Sequence, residues 1–232
     1  MARILLIETS TELCSVALDV DGKTVSSRRV SGRQHAAMTA VFCDEVLREA
    51  GLMAKELDAV CISDGPGSYT GLRVGVSTAK GLCFGAGVKL LSVSSLDVLA
   101  AMAAGICRND VATGVSQQTP KFIVPMIDAR RMEVFTAVYD ADGVRQTDIE
   151  AKVIENGAFS DIAGEAMFIG DGALKCREAI GKGRFVEAMP DACAMASLAE
   201  KEFAASAWRD VAYFEPFYLK EFVATQSRKK LF

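Results

Sequence analysis

Ile4-Leu5-Leu6-Ile7-Glu8-Thr9-Ser10-Thr11-Glu12-Leu13-Cys14-Ser15-Val16-Ala17-Leu18-Asp19-Val20-Asp21-Gly22 is the stretch from which the architecture unfolds. Residues 4–7 are an apolar run of strand length that stops at Glu8, and residues 9–12 make a polar turn. Residues 13–18 alternate in character, and Asp21-Gly22 is a hairpin dipeptide that leads into a third strand. Residues 122–143 repeat the plan. Residues 122–127 run into Asp128, Ala129-Arg130-Arg131 makes the turn, residues 134–139 follow, and Asp142-Gly143 closes it. Acid to glycine is 14 positions in the first copy (8 to 22) and 15 in the second (128 to 143). Two unrelated hairpins would also fit, but a copy at the start of each half argues for a duplication.

Between the copies, residues 35–50 have helical composition and end at Gly51, a C-terminal cap residue. A strand is expected at 59–63, a helix at 72–84, a strand at 88–93 and a helix at 95–104. Residues 107–120 are polar and read as a linker. Beyond the second hairpin, a helix is expected at 157–164, a strand at 166–169 and a long helix at 191–208, with Arg228-Lys229-Lys230 in a basic tail. Strands alternating with helices, twice over, give two α/β lobes. The boundaries are 1–106 for the N-terminal lobe, 107–120 for a linker or loop, and 121–232 for the C-terminal lobe and tail.

The chain has 232 residues, enough for one large domain or two small ones, and 50% are hydrophobic, ample for a core. Charge comes to 26 − 30 = −4, which disfavours a broad basic face for nucleic acid, so any RNA contact is local or borrowed from a partner. Seven cysteines, an odd number without a C-x-x-C pair, read as buried small hydrophobes in a reducing compartment. No apolar run reaches membrane-spanning length and no signal-peptide profile follows Met1, so a cytoplasmic chain with no membrane partner is expected. His35 is the only histidine. That excludes a multi-histidine metal site, and a catalytic triad could be built only around it.

Gly65-Pro66-Gly67-Ser68-Tyr69-Thr70-Gly71-Leu72-Arg73 is the most informative motif. Its glycines allow close backbone approach, and Ser68 or Thr70 can cap the next helix, whose free N–H groups could receive an anion. A ligand-free strand-to-helix connection fits the residues better, since neither a Walker loop nor the dinucleotide fingerprint is present. Gly71, Gly75 and Ala79 recur at four-residue spacing and leave one helix face nearly bare. Met38, Val41 and Phe42, with Val46 and Leu47, give the preceding helix a broad apolar surface. Plain core packing and a docking surface both fit these residues. Glu8 and Asp128 stand at equivalent strand ends, where carboxylates could hold a metal-bound phosphate, or be simply solvated. Glu8, Ser10, Thr11 and Asp128, with Gly170 and Gly172 of Gly170-Asp171-Gly172, form a candidate nucleotide site; a simple turn at 170–172 is the alternative. His35 reads as a helix-start residue that caps the helix or faces solvent, with no catalytic role.

Ile7-Glu8-Thr9-Ser10-Thr11, the glycine-rich motif preceded by Asp64, Lys80-Gly81-Leu82 and Ile127-Asp128-Ala129-Arg130 resemble the TsaB family, also called YeaZ. Glu215-Pro216-Phe217-Tyr218-Leu219-Lys220 is similar to the family's ending. The resemblance implies a two-lobed fold of the actin, sugar-kinase and chaperone-ATPase (ASKHA) type. It also implies a part in making N6-threonylcarbamoyladenosine (t6A) at position 37 of ANN-decoding tRNAs. Such a subunit is a non-catalytic paralogue that pairs with the transferase TsaD through two helices from each protein, which points to a docking surface here on the helices at about 35–50 and 70–84, with Met38, Val41, Phe42, Gly71, Gly75 and Ala79. TsaE works with the pair using ATP, TsaC supplies threonylcarbamoyl-adenylate, and tRNA is met only through the complex. TsaD carries a metal-binding His-x-x-x-His; the matching positions here are Ser95 and Leu99, neither a substitute for imidazole. No catalytic residue, metal or required cofactor is therefore expected. ATP or ADP with magnesium would bind weakly at the partner boundary, and the helical patch could pair two copies of the chain alone. The alternatives are an ASKHA-type ATPase or small-molecule kinase using Glu8 and Asp128 around magnesium, and a glycoprotease-like peptidase.

Overall fold

The structure, a computed structural model, describes residues 2–32, 34–113 and 119–220, with backbone only at residue 111. The first hairpin unit is β1 (Arg3–Glu8), β2 (Cys14–Val20) and β3 (Lys23–Val30). Asp21 and Gly22 turn the corner with φ of 54° and 75°, the left-handed geometry that an Asp-Gly pair provides. Then come α1 (His35–Glu49), β4 (Ala59–Ser63), α2 (Tyr69–Ala86), β5 (Lys89–Val93) and α3 (Ser95–Thr113). The second half contains β6 (Phe122–Asp128), β7 (Glu133–Thr136), β8 (Tyr139–Asp140), β9 (Glu150–Val153), β10 (Ala166–Ile169), α4 (Ala173–Ile180), β11 (Arg184–Val186) and α5 (Ala196–Ala204).

The five-stranded sheet runs β3-β2-β1-β4-β5, and the second sheet runs β11-β10-β6-β7-β9. Read from its third strand, the second sheet has the order of the first. In each, a hairpin partner lies antiparallel to the leading strand and two later strands lie parallel to it. The duplicated β-hairpin-plus-helix plan of an ASKHA fold is therefore present in the backbone.

Both faces of the first sheet are buried, which is why β1 and β4 read as continuous apolar runs. Leu5 and Ile7 face α1 and α2 with Val46, Val60, Ile62, Val76 and Ala79. Ile4 and Leu6 face inward with Cys61, Leu91, Val98, Met195 and Ala199. Thus α5, late in the chain, packs on the first sheet. In turn, Leu96, Leu99, Ala100 and Ala103 of α3 join Ile123, Ile127, Phe135 and Tyr139 of the second. The Tyr139 hydroxyl donates to Asp97 Oδ1 at 2.6 Å, tying β8 to α3. Each half lends a helix to the other, so the lobes form one body.

Four local readings differ. The helix expected to stop at 104 continues to Thr113, within the stretch read as a linker; Cys107 is buried in its core and Asp110 pairs with Arg184 at 2.6 Å. The strand expected at 134–139 is split into β7 and β8, opposite Pro125, which has no N–H to give; the Pro125 carbonyl accepts from the Thr136 hydroxyl. Residues 157–162 are turns that lead into a 3-10 turn at Ala163–Glu165, with Gly157 at φ 82° and Phe159 at φ 59°, values no α-helix accommodates. The long helix expected at 191–208 is a 3-10 turn at Ala192–Met195 followed by α5. Gln117, Gln118 and the Arg228-Lys229-Lys230 tail lie outside the described residues. Among the described residues no helix is long and apolar enough to cross a membrane.

Candidate functional site

The carboxyl ends of β1, β4, β6 and β10 converge on a cleft between the lobes with a volume of about 690 Å³. Its walls include Ser10 and Thr11 of the first hairpin, residues 67–71 at the start of α2, Asp128 and Arg130 of the second hairpin, Asp171, and residues 217–220.

The two hairpin turns are built alike. Glu8 Oε1 accepts from the Ser10 N–H at 2.6 Å, and Asp128 Oδ1 accepts from the Arg130 N–H at 2.8 Å. Their surroundings then diverge. Glu8 is fully buried and does not line the cleft. Burial pushes its carboxyl up to about 7, against the lowering effect of the hydrogen bond from Ser10. Asp128 is exposed, but Lys175 is paired with it, and the Lys175 ammonium also donates to the carbonyls of Arg131 and Glu133 at 2.7 and 2.8 Å. The two acids therefore do not face the cleft together as a metal-phosphate pair. Among the described residues, no three His, Cys, Asp or Glu side chains lie where they could hold a metal ion.

The glycine motif acts as a socket for the first hairpin. The Ser68 N–H donates to the Ser10 carbonyl at 2.6 Å, and the Ser68 hydroxyl caps α2 by accepting from Gly71 at 3.3 Å. A Cβ at Gly67 would lie 2.2 Å from the Ser10 carbonyl oxygen, and one at Gly71 would lie 2.1 Å from that of Thr9. At Gly75 it would lie 2.1 Å from Thr9 Oγ1. The stripe Gly71, Gly75 and Ala79 is thus filled by the protein's own hairpin and core, and is no open docking groove. Phe42 is buried and Met38 packs against the same core, leaving Val41, 44% exposed, as the open member of the expected patch. The small residues actually exposed on these helices are Ala36, Ala37 and Ala40 of α1 and Ser77, Gly81 and Gly85 of α2. The sequence showed a bare face but not which neighbour covers it.

Gly170 and Gly172 are likewise occupied from within: a Cβ at either would press on the Met126 carbonyl, at 2.1 and 3.0 Å. Only Asp171 of that turn reaches the cleft, and burial raises its carboxyl. His35, expected to cap the helix or face solvent, is buried and lines the cleft with Nε2 unpartnered among the described residues. Thr11 Oγ1 is also buried at the cleft without a partner there. Ser95 and Leu99 are sealed inside α3's packing. The seven cysteines are free thiols, and all but Cys193 are buried.

The family model described as "TsaD: tRNA N6-adenosine threonylcarbamoyltransferase" matches residues 25–223. The TsaB protein of Escherichia coli, named for tRNA threonylcarbamoyladenosine biosynthesis, is 32% identical over 236 residues, covering 96% of each chain. The chain belongs to the TsaB family. Another TsaB, from Haemophilus influenzae, is 29% identical over 94% of this chain and 93% of its own. YeaZ from Pseudomonas aeruginosa superposes with a TM-score of 0.78 at 27% identity, over 94% of this chain and all of that one. The TsaB assignment thus rests on sequence and fold together, and it extends through the second lobe.

Proposed function

We propose that this chain serves tRNA t6A biosynthesis as a non-catalytic subunit docked on a TsaD transferase. The observation that carries the non-catalytic part is at the start of α3. Ser95 and Leu99 stand where the resemblance puts the TsaD metal ligands, both fully buried, Leu99 in the second-lobe core. Zinc or iron at one equivalent in the purified protein, by elemental analysis, would overturn this.

TsaD is assigned to the outer face of α1 and α2, on Ala37, Ala40, Val41, Ser77, Gly81 and Gly85, rather than on the buried stripe of the same helices. Nothing lies within 4 Å of a Cβ at Gly81 or Gly85, so a partner helix can come close without disturbing the fold. Gly81→Leu should weaken TsaD binding about tenfold or more, roughly 1.4 kcal/mol, while thermal unfolding stays level or rises slightly, since leucine is the better helix former. Undiminished binding by the folded variant rejects this face. The same face would pair two copies when TsaD is absent.

TsaE with ATP, and tRNA, are then met through the complex in the cytoplasm. Weak binding of ATP or ADP with magnesium in the inter-lobe cleft is part of this reading, supported by the unpartnered Thr11 hydroxyl and the start of α2. The kinase-like alternative needs both acids on one metal. Glu8 lies outside the cleft and Asp128 is engaged by Lys175, which favours the scaffold.

A further inference from the structure

Residues 209–220 follow α5 and cross from the first lobe to the second along the cleft. Their inner end is well fastened. Arg209 donates its backbone N–H to the Leu90 carbonyl at 2.8 Å and its Nε to the Ser92 hydroxyl at 2.9 Å, which donates to Asp64 at 2.9 Å. Lys80 Nζ donates to the carbonyls of Ala212 and Phe214, each at 3.0 Å, and the Phe217 N–H to that of Asp64 at 2.8 Å. Val211 and Phe214 pack into the first-lobe core.

The outer end is held differently. Tyr218 lies against Tyr69 at the start of α2, with ring centroids 4.8 Å apart, and Leu219 packs on the second-lobe core. Lys220 pairs with Glu133 of β7, and its ammonium lies 6.0 Å from the Phe135 ring centre. The Lys220 and Glu133 side chains are 40% and 22% exposed, so water competes for this bond. Phe217, Tyr218, Leu219 and Lys220 all line the cleft, beside Thr11 and the first turn of α2.

We propose that residues 209–220 are a strap that gates the cleft, and that its outer end leaves Glu133 when an anionic ligand enters. This rests on the reading of the cleft as a weak nucleotide site. The strap would open from its weaker end, pivoting on the fastened stretch between Arg209 and Phe214 and releasing the Phe217 N–H from the Asp64 carbonyl. Apparent affinity is the intrinsic affinity scaled by the fraction of molecules with the strap off, so loosening the outer end raises it.

The probe is ATP with magnesium, titrated calorimetrically into the full chain, with amide exchange at residues 217–219 measured in parallel. Glu133→Gln should accelerate that exchange and tighten ATP binding about threefold, the range one partly exposed ion pair allows. Adding Tyr218→Ala should extend the gain to about tenfold. Faster exchange with unchanged ATP affinity overturns the gate and leaves the cleft as a ligand site. Faster exchange with no ATP bound by any of the proteins overturns the cleft reading and the gate with it. Unchanged exchange in both variants overturns Glu133 and Tyr218 as the fastening.

Discussion

Gly71→Ala is expected to lower the stability of the chain by about 3 kcal/mol, which for a chain of this size is a fall in Tm of about 6–12 °C. The added methyl would lie 2.1 Å from the Thr9 carbonyl oxygen, well inside contact distance. That oxygen belongs to the turn between β1 and β2. The Ser68 N–H to Ser10 carbonyl bond holds this turn against α2, so neither partner can yield without dragging the other. Gly81→Ala on the same helix is the control. Its methyl meets nothing within 4 Å, and exchanging glycine for alanine in a helix should add up to about 1 kcal/mol. Opposite signs from one substitution, two to three turns apart, separate packing from propensity. If Gly71→Ala melts with the parent protein, the close approach of helix and hairpin is not what the motif provides.

The architecture was legible because both hairpins are written in local terms. An apolar run ending in an acid, a polar turn and an Asp-Gly corner set β1, β2 and β3 without long-range help. Pro125 was also visible, and a proline with no N–H to offer could have warned that β7 and β8 would be separate. The length of α3 was not legible. Residues 108–110 look like loop, and what holds Asp110 is Arg184, far along the chain in β11. The exchange of α3 and α5 between lobes is hidden for the same reason, since an apolar face does not name the sheet it meets.

The site was legible in part. The equivalence of Glu8 and Asp128 holds at the level of single hydrogen bonds, because each accepts from the N–H two residues on. Their different burial was not legible, being set by what surrounds each hairpin, Ser63 near the one and Lys175 on the other. Gly71 and Gly75 were singled out correctly as bare and assigned to the wrong neighbour. Spacing shows that a face lacks side chains, and only the fold shows that Thr9 fills it. The strap had no periodicity to announce it, yet Phe217 to Lys220 form one wall of the cleft.

Glu8→Gln is expected to flatten part of the pH dependence of stability and to make the protein more stable than its parent above pH 7. The parent carboxyl is raised from 4.5 to about 7 by burial, so between those values the folded chain holds a proton that the unfolded chain has released. Stability from this group is therefore fully present below about pH 4.5 and is lost as pH rises through about 7. A shift of that size corresponds to about 3 kcal/mol. Glutamine keeps a carbonyl for the Ser10 N–H and cannot ionise, so it retains the neutral form's contribution at every pH. Urea unfolding at pH 4.5 and pH 8 measures the effect: the two proteins should nearly coincide at the lower pH and separate by up to about 3 kcal/mol at the higher. Asp64 and Asp171 are also raised by burial and slope the same way, but they are common to both proteins and cancel in the difference. Parallel curves across the window would mean that Glu8 is ionised at little cost. The expected result also bears on function. A carboxyl that the fold keeps half neutral near pH 7, away from the cleft, is a poor magnesium ligand, and its replacement by glutamine should leave TsaD binding intact.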